Sequence, residues 1–146
     1  MADFSKTGRI AQLRQELTAP LIIELDLTDG IAEARPTDPF SAIMTRHRPV
    51  MADILDALRR ARRDERVRAL VAKVGGRSIG LGLVQELHAA VTEFRAAGKI
   101  TVAWAESFGE FSAGNVPYYL ATAFETIYLH LPVNPLELKY VEVWTQ

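Results

Sequence analysis

Four short apolar runs alternate with helical stretches along this chain, and each helix-to-strand connection is only a few residues long. A helix that returns so quickly brings the next strand in beside the last one, pointing the same way. The pattern therefore predicts parallel pairing through right-handed crossovers. The runs are 21–27 (L-I-I-E-L-D-L), 67–74 (V-R-A-L-V-A-K-V), 100–105 (I-T-V-A-W-A) and 126–129 (T-I-Y-L). Between them, residues 50–63 set Val50, Met51, Ile54, Leu55, Leu58 and Ala61 on one stripe. Residues 81–97 do the same with Leu83, Val84, Leu87, Ala90, Val91 and Phe94, and Gly98 follows at the left-handed C′ position. A shorter apolar helix is predicted over 116–124. The fold class that follows is α/β with a mainly parallel sheet. The first run begins apolar and ends alternating, which predicts a strand buried in part on both faces.

Two segments flank this pattern less regularly. Residues 4–17 space Phe4, Ile10, Leu13 and Leu17 as a short amphipathic helix, ended by Pro20. Residues 28–49 carry no period and hold Asp29-Gly30, Pro36, Asp38-Pro39 and Pro49. A connection of that length is uncommon unless it does something.

The 146 residues allow one domain with a genuine core, and 49% of them are apolar. A net charge of −1 gives no bulk attraction to nucleic acid or to an anionic membrane. Arg59, Arg60, Arg62 and Arg63 interleave with Asp53, Asp56, Asp64 and Glu65, without aromatics to stack bases, so they read as a solvated helix face. The chain has no cysteine, which excludes a disulfide scaffold and a cysteine-rich zinc site. The start, M-A-D-F-S-K-T-G-R-I, has no apolar h-region, and no run approaches the roughly 18 to 20 apolar residues of a membrane span. A soluble or membrane-peripheral chain is expected.

Chemistry, if present, belongs in the loops at the carboxyl ends of the strands. Gly75-Gly76-Arg77-Ser78 lies between a strand and a helix. Its N–H groups suit an oxyanion or a closely approaching substrate, and a plain glycine turn is the alternative. Gly80-Leu81-Gly82 begins a dinucleotide fingerprint, but Gln85 stands where the third glycine belongs, and a P-loop lacks its lysine. The loop 106–114 offers Ser107 and Ser112. A serine nucleophile needs a base in reach, and Ser112 sits in G-x-x-S-x-G, one residue away from the nucleophile elbow. The alternative is a loop serine bonded to its own backbone. His47, His88 and His130 show no ligand spacing, so no metal and no cofactor are expected. Glu24 and Asp26 share one strand face, where a carboxylate pair competes with a simple polar strand end.

Taken in series, D-I-L-D-A-L-R-R-A-R-R-D-E-R-V-R-A-L-V from Asp53, Q-E-L-H-A-A-V-T-E-F-R-A-A-G-K-I-T-V-A from Gln85, Tyr118-Tyr-Leu-Ala and Ile127-Tyr-Leu resemble the signal peptide peptidase, or protease IV, family. The likeness covers residues 21–132, with 1–20 a helical lead-in and 133–146 an atypical tail. It implies the crotonase/Clp-protease-like fold of repeated ββα units, here as a partial domain, in a family that is usually oligomeric. Larger members resemble two such domains in tandem. The second carries a serine nucleophile in a Ser-Gly-Gly-Tyr context at a helix start, and the first supplies a lysine base. Together they cleave residual signal peptides.

Aligned on Tyr-Leu-Ala, this chain has Asn115-Val116-Pro117 in place of Ser-Gly-Gly, so Asn115 stands at the nucleophile position. Lys139 lies too close to the last strand to match the base. No glycine follows Gly114, and the tail alternates Leu136, Leu138 and Tyr140 with Glu137 and Lys139 like an exposed-edge strand. A truncation or altered reading frame near His130 is the expectation. The resemblance thus implies an N-terminal domain, inactive alone, that contributes fold, peptide groove and oligomer contacts to a serine endopeptidase with a separate C-terminal catalytic domain. Gly75, Gly76, Arg77, Ser78 and Gly114 would line its groove, with peptide added as a strand. Self-association is expected through the sheet edge or the helix 50–63. The rival readings are a catalytically inactive stand-alone scaffold and a crotonase-like acyl-CoA enzyme with its oxyanion loop at Gly75-Gly76 and Gly114.

Overall fold

A computed structural model describes residues 19–35, 48–109 and 113–130. The predicted helix 4–17, most of the long connection, His47, Ser112, Lys139 and the tail from 131 lie outside these. Along the chain come β1 (Leu21–Asp26), α1 (Met51–Arg63), β2 (Val67–Lys73), α2 (Leu81–Ala96), β3 (Ile100–Ala105), α3 (Asn115–Ala121) and β4 (Thr126–Leu129). The strands form one parallel sheet in the order β1-β2-β3-β4. This is the expected α/β class. Among the described residues there is no second strand per unit. The connection after β1 contributes a single parallel bridge, Ala32 to Val50.

Consecutive strands joined by right-handed crossovers put every helix on the same face. Burial follows that geometry. Leu70, Ala72 and Val74 of β2 and its end, with Thr101, Ala103 and Ala105 of β3, alternate inward. They meet Met51, Ile54, Leu58 and Ala61 of α1 and Val84, Leu87, Val91 and Phe94 of α2, then Leu120 and Ala121 of α3, in one apolar cluster. The periodicity read from the sequence therefore names the core-facing side of both long helices. Gly98 takes φ +77 just after α2, the left-handed conformation that ends it.

Two features differ most from the sequence reading. Helix α3 stops at Ala121 rather than at 124. The Thr122 hydroxyl donates to the Tyr119 carbonyl at 2.6 Å, and the N–H groups of Ala123 and Phe124 turn to Leu120 and Ala121. This tightening aims the Glu125 N–H at Thr101 Oγ1, 2.9 Å away. Thr101 is fully buried, and this bond supplies the partner that a buried hydroxyl needs.

The second difference is β1. It is an edge strand, and Ile22 is 64% exposed rather than buried. Ile22 lies in register with Ala69, and Ala69 with Ile100, on the face away from the helices. Ile100 (56%) and Tyr128 (62%) are exposed there too, and nothing among the described residues covers that side. A continuous apolar run signals burial only if both faces of its sheet are packed.

The turn from α1 to β2 is held by charge. Asp64 accepts from the Arg66 backbone at 2.9 Å and from its guanidinium at 2.7 Å. The Arg66 side chain, then its N–H, hold the Asp64 carboxyl down at about 2. Lys99 Nζ donates to the carbonyls of Asp64 and Val67 at 2.8 and 2.7 Å, tying β3 to the same turn. In the arginine run, Arg59 pairs with Asp56 and Arg62 with Glu93.

Candidate functional site

The parallel strands end together, so the loops after β1, β2 and β3 meet at one end of the sheet. The ladder continues past the strands themselves. The Leu27 N–H reaches Lys73, that of Val74 reaches Trp104, and that of His130 reaches Ala105, at 2.8 to 3.0 Å. The glycine bend after β2 is the keystone of this end. Gly75 takes φ +88. A Cβ there would meet the Ser107 carbonyl, and one on Gly76 would meet the Thr28 backbone, both far inside contact distance. These glycines admit the chain's own neighbouring loops, as the glycine-turn alternative requires. Gly80 and Gly82 face open space.

The bend then leaves the loops in a defined direction. Arg77 donates its N–H to the Thr28 carbonyl at 2.8 Å, while the N–H groups of Gly76 and Ser78 have no partner among the described residues. Beside the bend lies a narrow cleft lined by Gly75, Gly76, Arg77 and Ser78 on one side and by Val116, Pro117 and Leu120 of α3 on the other, with Leu27 and Val84 at its base. It encloses about 20 Å³, room for one methyl-sized group. The structure thus brings Gly75 to Ser78 together with the first turns of α3. Gly114 stays outside the cleft: it precedes α3 and packs 2.8 Å from the Phe108 carbonyl, measured from where its Cβ would stand.

Asn115 opens α3, and its Oδ1 accepts from the Val116 N–H at 3.0 Å. The side chain is folded onto its own helix start. Ser107 Oγ accepts from the Gly109 N–H at 3.2 Å, the local backbone bond of a loop serine. The lysine nearest in role is Lys73. Its Nζ lies 2.8 Å from Glu106 Oε1 and 4.6 Å above the Trp104 ring. The hydrogen bond to Glu106 raises the Lys73 pKa, and the same bond lowers that of Glu106. A lysine base needs the opposite shift.

Neither a family model nor a curated protein matches the chain.

The remaining polar candidates take structural roles. Asp26 accepts from both the N–H and the hydroxyl of Thr28, at 2.9 and 2.6 Å. Burial opposes its ionisation, but these bonds and the Lys73 charge outweigh it and hold the carboxyl below its ordinary value. The strand-end reading of Asp26 fits this geometry. His88 stacks on Tyr119, centroids 4.6 Å apart and rings 6° from parallel, with Nε2 3.3 Å from Thr122 Oγ1. His130 follows β4 and is exposed. No helix among the described residues is long and apolar enough to cross a membrane.

The sequence gives Val116, Pro117 and Leu120 no pocket-lining role, and it does not single out Arg48, which reaches the same end of the sheet from the long connection. The signal for Arg48 was the length of that connection, which named no residue.

Proposed function

We propose that the chain is a catalytically silent, protease-IV-like domain with a crotonase/Clp-like arrangement, and that it holds an extended peptide at the carboxyl end of its sheet. The observation that carries this is the cleft between the glycine bend and α3. A methyl-sized apolar pocket beside the N–H groups of Gly76 and Ser78, which have no partner among the described residues, is what a peptide strand with small side chains requires. Consecutive parallel strands with every helix on one face agree with a repeated-unit fold. An enclosed volume of about 20 Å³ suits an alanine-sized side chain.

Silence follows from the residues at the mouth. Asn115 stands at the family's nucleophile position with its amide turned onto Val116. Ser107 is bonded to its own loop, and Lys73 is held protonated. In the family arrangement the hydrolytic serine would come from a second domain, and this one would line the groove and build the assembly.

Fluorophosphonate labelling of the full chain, read by peptide mass spectrometry, tests the silence. We expect no adduct at any serine. Labelling at Ser107 or Ser112 overturns it and makes the chain a hydrolase in its own right. Binding is tested in parallel by amide NMR with a short alanine–leucine peptide. Shifts are expected at Gly76, Ser78 and Val116, and their absence at millimolar peptide removes the peptide reading.

A further inference from the structure

A second cleft opens on the other side of the glycine bend. Asp29, Gly30, Ile31, Arg48, Arg77 and Ser78 line it, and it measures about 280 Å³. Arg77 and Ser78 belong to both clefts, so the two share a wall. We infer that this second cleft takes a carboxylate of the bound peptide, between the guanidinium groups of Arg48 and Arg77.

The inference rests on how the two arginines are carried and on what they lack. Arg77 stands on the bend that Gly75 and Gly76 lock against Ser107 and Thr28, and its own N–H is bonded to Thr28. Arg48 precedes Pro49, whose carbonyl accepts from the Ala32 N–H at 3.0 Å. The Met51 N–H returns to Ala32 at 2.9 Å. Both backbones are thus stitched to the loop after β1, and α1 starts from the second stitch. Arg35, Arg59 and Arg62 each have a carboxylate partner. Arg48 and Arg77 have no ion pair among the described residues, although Asp29 lines the same cleft. Among the described residues that line the cleft, two arginines stand against one aspartate, with Ser78 beside them. Planar guanidinium donors match a carboxylate bidentately, which a lysine pair does not.

The inference depends on the peptide occupying the neighbouring cleft. The carboxylate has two sources, the peptide's C-terminus or an acidic side chain. Three probes separate them: acetyl-Ala-Leu-Ala-Ala with a free carboxylate, its C-terminal amide, and that amide with glutamate as its last residue. Each is titrated into the full chain by calorimetry at low salt. Either carboxylate-bearing probe is expected to bind about ten-fold tighter than the plain amide. Which one does so identifies the source.

Arg48→Gln and Arg77→Gln should each pull that ratio toward one, and Asp29→Asn should increase it. Raising the salt should narrow it, as for any partly exposed charge contact. Equal binding of all three probes overturns this inference and leaves the peptide reading standing. A ratio that neither glutamine variant changes overturns it as well. Binding of none of the probes defeats the peptide reading, and the inference falls with it.

Discussion

Gly76 shows how one residue decides the shape of the site. Its α-carbon sits against the Thr28 backbone with no room for a methyl group, and the obstacle is main chain rather than a side chain that could turn aside. Gly76→Ala must therefore move the loop after β1 or the bend itself. We expect it to cost about 1–3 kcal/mol by chemical denaturation, the usual penalty for overpacking. Gly82→Ala is the contrast. That glycine lies in the first turn of α2, and an added Cβ would point into open space, so alanine should stabilise by about 0.5–1 kcal/mol. The sequence places Gly76 between a strand and a helix and Gly82 at the start of that helix, and neither position shows its surroundings. What separates them is Thr28, which is distant along the chain and carries no local signature of the contact. Arg48 and Arg77 were illegible as a pair for the same reason: a sheet end assembles residues from separate loops, and spacing reports neighbours only within one element.

Elements were read more faithfully than sites, because periodicity is a local record of which side of an element is buried. Of the predicted stripe, Met51, Ile54, Leu58 and Ala61 form the buried side of α1, while Leu55 is half-buried and Val50 caps the helix rather than joining it. β3 and β4 begin and end where the β-branched runs do. The failures have tertiary causes: α3 is cut short to deliver Glu125 to Thr101, and β1 is apolar yet lies at an edge.

The contact between α2 and α3 has its own pH dependence. His88 is stacked on Tyr119, and burial, then the Arg95 charge, lower its pKa below 6.5. The unfolded chain therefore binds the His88 proton more readily than the folded one. Stability from this contact is present above pH 6.5 and is lost as pH falls from 6.5 through the folded value. Thermal melts between about pH 8 and pH 5 should show that decline in the wild type and a shallower one in His88→Gln. Asp64 is held down at about 2, so its contribution is lost as pH falls from 3.8 through that value, below the range of these melts.

For the whole molecule, the unequal faces of the sheet matter most. One face carries the core. The other presents Ile22, Ile100 and Tyr128 with half-buried Val71, Val102 and Trp104 between them. Parallel sheets are ordinarily covered on both sides. An apolar dye should therefore bind the full chain. Replacing Ile22 and Ile100 by glutamate should reduce that signal by half or more while shifting the melting temperature by only a few degrees, because neither side chain contributes to the core. Unchanged dye binding would mean that this face is covered in solution.

The strand order has a consequence for how the chain is made. Each strand pairs with the one synthesised just before it, and no later strand must be inserted between two earlier ones. Leu21 waits for Val67, Ala69 for Ile100, and Val102 for Thr126, so each pairing closes a shorter loop than the last. A nascent chain can build this sheet in the direction of translation, with each finished edge acting as the template for the next unit to leave the ribosome.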